Sequence, residues 1–135
     1  MNYWLVKADP DTDYSIDDLQ KDGKTEWTGV HNNAAILHIQ KMKKGDKVYF
    51  YHSQKQKAIV GLAEVSSEPY ENKDDPRRSW AMQIKFVKKY ENPLTLNEIK
   101  VAQECQDFAL VRIGRLSVMP VEPKVQQWLD KQLHD

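Results

Sequence analysis

The chain has one cysteine among its 135 residues, Cys105, and no apolar run near the roughly 18 residues that a membrane-crossing helix needs. One thiol excludes an internal disulfide and any cysteine-rich metal site, and it fits a reducing, cytoplasmic setting. No signal-peptide pattern opens the sequence, and no internal repeat or low-complexity tract interrupts it. Net charge is also lacking: 20 Lys and Arg balance 20 Asp and Glu, so nothing global marks a partner of one sign. His31, His38, His52 and His134 show no metal-ligand spacing with acids or with Cys105. Nucleophile arrangements and phosphate loops are missing as well. These absences leave a single soluble α+β domain over residues 1–135, with no membrane, no metal and no cofactor expected.

The balanced charge conceals an uneven distribution. Asp9, Asp11, Asp13, Asp17, Asp18, Asp22 and Glu26 face only Lys21 and Lys24 in the first segment. Lys41, Lys43, Lys44, Lys47, Lys55 and Lys57 then stand against Asp46 alone, and Arg77, Arg78, Lys85, Lys88 and Lys89 add a later basic group. Such segments are either solvated surface or, if they converge, a local positive patch.

Hydrophobic periodicity and punctuation predict the elements. Tyr3–Ala8 reads as a buried strand stopped by Pro10. Ser15-Ile16-Asp17-Asp18 opens a short helix that ends at Gly23. Ala35, Ile39 and Met42 fall at helical spacing, with Gly45 closing that helix. Lys47 to Ser53 and Ala58 to Ser66 form a hairpin across Gln54-Lys55-Gln56-Lys57. Trp80 to Phe86 alternates as a half-buried strand that Asn92-Pro93 breaks. Thr95-Leu96-Asn97-Glu98 caps another helix to about Val101, and Phe108 to Val111 makes a helical turn. Leu116 to Val121 is extended, and Pro123 starts a terminal helix with Val125, Trp128, Leu129 and Leu133 on one face. Strands near both ends, hairpins between and helices at the connections predict a small closed or nearly closed barrel.

Two segments carry the chemistry. Trp27-Thr28-Gly29-Val30-His31-Asn32 sets an indole beside a glycine and an amide, which suits a stacked and hydrogen-bonded planar ring or a structural tryptophan in a tight turn. Strand alternation puts Lys7 and Asp9 on the face of Tyr3 and Leu5, while His52 and Ser53 end their strand at the same rim. Trp80 and Trp128 sit at core spacing, and Glu64 is either a pocket acid or a solvent-facing strand residue.

Tyr3-Trp4-Leu5-Val6-Lys7-Ala8-Asp9-Pro10 resembles the YWLVKSEP opening of the EVE-domain family, and Trp27–Asn32 resembles its WDGVRN. Residues 43–53, 59–65 and 115–121 are similar to the blocks MKKGDxVxFYHS, IVGIAEV and RLSVMPV, in order and over nearly the whole chain. The resemblance implies an α+β, PUA-like pseudobarrel of mixed and antiparallel strands with peripheral helices, related to YTH, ASCH and PUA domains. It implies a non-catalytic reader of a modified base, of the 5-methylcytosine or 5-hydroxymethylcytosine type, in DNA or RNA. Partner nucleases or restriction components accompany such domains. Carried over by position, the base pocket would hold Lys7, Ala8, Asp9, Trp27, Gly29, Val30, Asn32, His52, Ser53, Arg115, Leu116 and Ser117. Lys43, Lys44, Lys47, Arg77 and Arg78 are the candidate contacts to the nucleic-acid backbone. The chain departs from the pattern at Ala8, where a serine hydroxyl is lost, and at His31 and Asn33, which replace an arginine and a tyrosine. Two other readings stand beside the reader: an enzyme acting on a nucleotide with Lys7, Asp9 and His52 as acid–base groups, and a protein-interaction adaptor.

Overall fold

Near-continuous burial builds the first strand into the centre of the molecule. The structure, a computed structural model, describes residues 1–133. β1 (Tyr3–Ala8) runs parallel to β3 (Lys47–His52) and antiparallel to β7 (Val118–Val121). β3 pairs in turn with β4 (Ala58–Val65), β4 with β6 (Trp80–Thr95), and β6 with β2 (Lys24–Trp27). The sheet order is therefore β2-β6-β4-β3-β1-β7, with the two-residue β5 (Tyr70–Glu71) beside β6.

The parallel register sorts side chains onto two faces. Trp4, Val6 and Ala8 lie beside Val48, Phe50 and His52, while Leu5 and Lys7 lie beside Tyr49 and Tyr51. On the first face, α1 (Ile16–Asp22) docks through Ile16, and the Trp27 ring meets Phe50 edge-on at 5.6 Å. On the second, α5 (Pro123–Gln132) covers Tyr49, whose hydroxyl donates to Asp130. α3 (Leu96–Lys100) and α4 (Ala109–Arg112) pack beside them, joined by a 3-10 turn at Gln103–Cys105. Tyr49, Phe50, Leu5 and Ile59 are fully buried, so the core fills both faces of the central strands.

Within the described residues, β2 and β7 form the two edges and are not paired to each other. α2 (Asn33–Gln40) packs against both β7 and β6, spanning that seam. The sheet thus curls towards a barrel that is left open along one line. Both expected capping boxes are present, Ser15 with Asp18 and Thr95 with Glu98.

Three local expectations are corrected. Asn92-Pro93 does not end β6: β4 steps from Ile59 to Gly61 while β6 steps from Leu94 to Lys89, so residues 90–93 form a bulge. A proline costs no ladder hydrogen bond at a bulge, and the strand resumes to Thr95. β2 was not expected as a strand, because it has only four residues and two of them are charged; its alternation places Thr25 and Trp27 inward. α2 stops at Gln40, leaving buried Met42 and Gly45 (φ 98°) in the following turn.

Candidate functional site

The open seam holds a cavity of about 240 Å3. Its walls come from both sides of the seam: Thr25, Glu26 and Trp27 of β2, the loop residues Thr28, Gly29 and Val30, Lys7 of β1, and Ser117 just before β7. Asp13 and Tyr14 close it from the loop after β1. The volume lies below the roughly 300–1,000 Å3 of drug-sized pockets and suits one planar ring.

Each wall residue is fixed by backbone chemistry. Lys7 N–H donates to the Ser117 carbonyl at 2.9 Å, which ties β1 to the residue leading into β7. Gly29 has φ 75°, a left-handed conformation that favours glycine, and a Cβ built there would meet nothing within 4 Å, so the backbone borders open space. The Asp9 carboxylate accepts from the Asp11 N–H at 3.0 Å, and its carbonyl accepts from the N–H groups of Asp13 and Tyr14. The hydrogen bonds from Asp11 and Thr12 hold the Asp9 carboxyl below the usual carboxylate range. Asp9 therefore shapes the loop that presents Asp13 and Tyr14 and does not itself line the cavity. Tyr14 donates to Asp22 at 2.6 Å, and burial with that carboxylate pushes its phenol up to about 12.

Trp27 is only 8 % exposed, yet its remaining surface belongs to the cavity wall. Of the twelve residues expected in the pocket, Lys7, Trp27, Gly29, Val30 and Ser117 converge there. Ala8 and Leu116 are buried in the core. Asn32 is the N-cap of α2, its side-chain oxygen accepting from Ala35 N–H at 3.1 Å. His52 is buried with both ring nitrogens engaged: Nε2 accepts from Ile16 N–H at 3.0 Å, and Nδ1 lies 2.8 Å from Gln56 Oε1. It lines neither the seam cavity nor the one behind Lys7. Ser53 lines a second cavity behind Lys7, and Arg115 is exposed beside that region. Asp13, Tyr14, Thr25, Glu26 and Thr28 were not anticipated. The period-two pattern of Thr25 and Trp27 is the signal that would have placed Thr25.

The basic residues divide by position. Arg77 and Arg78 lie on the loop held against the Trp27 segment, with His31 2.6 Å from Asp75 and Arg78 3.5 Å from Asn33 Oδ1. Backbone donation from Arg77 and the His31 contact hold Asp75 below the usual carboxylate range. Lys47 pairs in register with Tyr3, four residues along β1 from Lys7, or roughly 13 Å at strand rise. It is also ion-paired with Glu64, which Lys85 approaches at 3.1 Å from the other side. Lys43 N–H donates to Asp46 at the same far end. Lys43 and Lys47 therefore lie away from the Lys7 end of β1, whereas Arg78 sits beside Asn33. Burial pushes the Cys105 thiol up to about 11, an unreactive state. Among the described residues no three His, Cys, Asp or Glu side chains could hold a metal, and no helix is long and apolar enough to cross a membrane. His134 lies outside the described residues.

Solved structures define the class of fold. A hypothetical protein from Leishmania major superposes with a TM-score of 0.90 at 35% identity, covering 99% of this chain and 95% of that one. Human thymocyte nuclear protein 1, in complex with 5-methylcytosine-containing DNA, superposes with a TM-score of 0.89 at 24% identity, covering 100% and 99% of the two chains. The fold is PUA-like, an α+β arrangement with a seven-stranded mixed sheet and peripheral helices. The EVE domain model matches residues 2–132, and the chain belongs to the EVE domain family. Thymocyte nuclear protein 1 of Rattus norvegicus is 32% identical over 154 aligned positions, spanning 89% of this chain and 68% of the rat protein.

Proposed function

We propose that this chain is a non-catalytic reader of a modified cytosine, 5-methylcytosine or 5-hydroxymethylcytosine, which it takes as a base flipped out of DNA into the seam cavity. The observation that carries the reading is the cavity itself, one ring in size and walled by Trp27 with Asp13, Ser117 and Val30 around it. Cytosine presents an exocyclic amino donor, which a carboxylate such as that of Asp13 accepts. Its 5-methyl group needs an apolar neighbour, which Val30 offers. The bound DNA of the human relative supports the same class of ligand.

Magnitudes set what the site can do. Flipping costs a few kcal/mol, and stacking on an indole returns roughly 1–3 kcal/mol, so contacts to phosphate must supply the remaining affinity. Arg77 and Arg78 are our candidates for those contacts, whereas Lys43, Lys44 and Lys47 would require DNA that extends to the far end of β1. One buried methyl group contributes about 0.8 kcal/mol, about a fourfold preference over plain cytosine. The lost serine at Ala8 and the partnered His52 leave readout to Trp27, Asp13, Ser117 and backbone groups. A partner nuclease would supply any chemistry.

The test is a tryptophan-fluorescence titration with duplexes that carry one 5-methylcytosine, one 5-hydroxymethylcytosine or plain cytosine, repeated with the RNA counterparts. The reading predicts saturable quenching, about fourfold tighter for the methylated duplex, which is lost in a folded Trp27→Ala variant. Failure of all these ligands, and of the free nucleosides at millimolar concentration, overturns it.

A further inference from the structure

Lys7 separates two cavities, and its charge belongs to the second. Lys7 lines the Trp27 cavity, but its Nζ donates to the Gly114 carbonyl at 3.0 Å and lies 5.8 Å from the centre of the Tyr51 ring. Gly114 and Tyr51 both line a further space of about 220 Å3, together with Ser53, Gln54 and Lys57. Lys7 is the one residue common to the two linings among the described residues.

The two linings differ in sign. The lining of the Trp27 cavity includes Asp13 beside Lys7, which disfavours an anion there, while the Glu26 carboxylate accepts from the Tyr70 hydroxyl. The second is lined by Lys7, Lys57, Ser53 and Gln54, with no acidic residue in its lining. The turn that brings these donors together is conformationally specific: Gln54 and Lys57 both adopt left-handed backbone angles, φ 69° and 48°. Burial lowers the Lys7 pKa, and Nζ donates to a carbonyl dipole, so an anion entering the space gains an incompletely compensated charge.

We infer that the space behind Lys7 is a phosphate subsite, which takes a phosphate of the nucleotide whose base occupies the Trp27 cavity. This inference rests on the base-reading proposal for its ligand, but the phosphate chemistry stands on the second cavity alone. Lys7 then links the two halves of recognition: its backbone N–H holds the base cavity together through Ser117, and its ammonium meets the phosphate. Lys57, Ser53 and Gln54 complete the donors.

The experiment has two arms. In the first, 5-methyl-2′-deoxycytidine and its 5′- and 3′-monophosphates are titrated against the tryptophan fluorescence. In the second, inorganic phosphate is titrated against the backbone amide spectrum, which also reports that each variant is folded. The inference predicts that one monophosphate binds at least tenfold tighter than the nucleoside, and that Lys57→Asn, which tolerates a left-handed backbone, loses most of that advantage. It further predicts that inorganic phosphate at millimolar concentration shifts the Ser53 and Gln54 amides in the native chain and not in K57N. If the nucleoside binds but neither monophosphate gains, or K57N keeps the gain, the subsite is wrong while base reading survives. If no nucleoside binds yet phosphate shifts those amides, the subsite survives and base reading fails. Absence of both the gain and the shifts overturns the subsite.

Discussion

Ile16 fills the space that a side chain at position 61 would occupy. A Cβ placed on Gly61 would come within 2.3 Å of Ile16 Cδ1 and 2.9 Å of the Lys88 carbonyl oxygen. This contact seats α1 on the sheet, and the loop preceding α1 carries Asp13 and Tyr14 to the cavity. Gly61→Ala therefore forces apart a helix and a strand backbone together. Overpacking of this kind costs about 2–3 kcal/mol, so the expected fall in Tm is roughly 7–11 °C. A melting curve unchanged within about 2 °C would show that the helix is not seated by this contact.

His52 is buried and engaged at both ring nitrogens. Replacing it with alanine leaves the Ile16 N–H without its acceptor, at a cost of about 1–3 kcal/mol, and removes its packing against Phe50 at 5.8 Å. Chemical denaturation of His52→Ala should show that loss, while the affinity of the folded variant for a cytosine nucleoside stays within about twofold. A native-like midpoint with binding abolished would return His52 to the site.

Asp46 is 3 % exposed and gathers three donors: Trp4 Nε1 at 2.9 Å, Asn2 N–H at 3.1 Å and Lys43 N–H at 3.0 Å. Asp46→Ala leaves these groups unmatched at the start of β1. The expected destabilisation is about 3 kcal/mol or more, with loss of the near-ultraviolet dichroism that a rigid Trp4 contributes.

How much of this was legible depended on how local each signal was. The two capping boxes, the 47–66 hairpin and the extended Tyr3–Ala8 segment rest on residues adjacent in sequence, and each was read correctly. β2 and the continuation of β6 past Pro93 depend on partners far along the chain, which no local pattern displays. At the site, Trp27 and Gly29 announced themselves by residue type. Asp13 and Tyr14 did not, because their position is set by the hydrogen bonds of the Asp9 turn. His52 was misjudged because a polar side chain at a strand end looks the same whether it meets a ligand or the N–H of a helix. Lys43 and Lys47 were grouped with Arg77 by charge, although they lie at the opposite end of β1 from Lys7.

Glu64 gives a pH-dependent test. Hydrogen bonds from Lys47 and Lys85 hold its carboxyl below the ordinary value of 4.5. A depressed acid stabilises the fold above its unfolded pKa, and that contribution disappears as pH falls through the folded value. Being partly exposed, the pair contributes less than about 1 kcal/mol. Glu64→Gln should be less stable than the native chain at pH 7, and the difference should shrink as pH falls below 4.5 and through the depressed folded value. A stability difference constant from pH 7 to pH 3 would contradict this.

The position of a bound nucleoside tests the central claim most directly. A crystal structure of the protein with 5-methyl-2′-deoxycytidine at millimolar concentration should place the base in the seam cavity, its ring against Trp27 and its amino group towards Asp13. Ordered ligand at another surface with the seam cavity vacant, or no ordered ligand at all, would contradict the account.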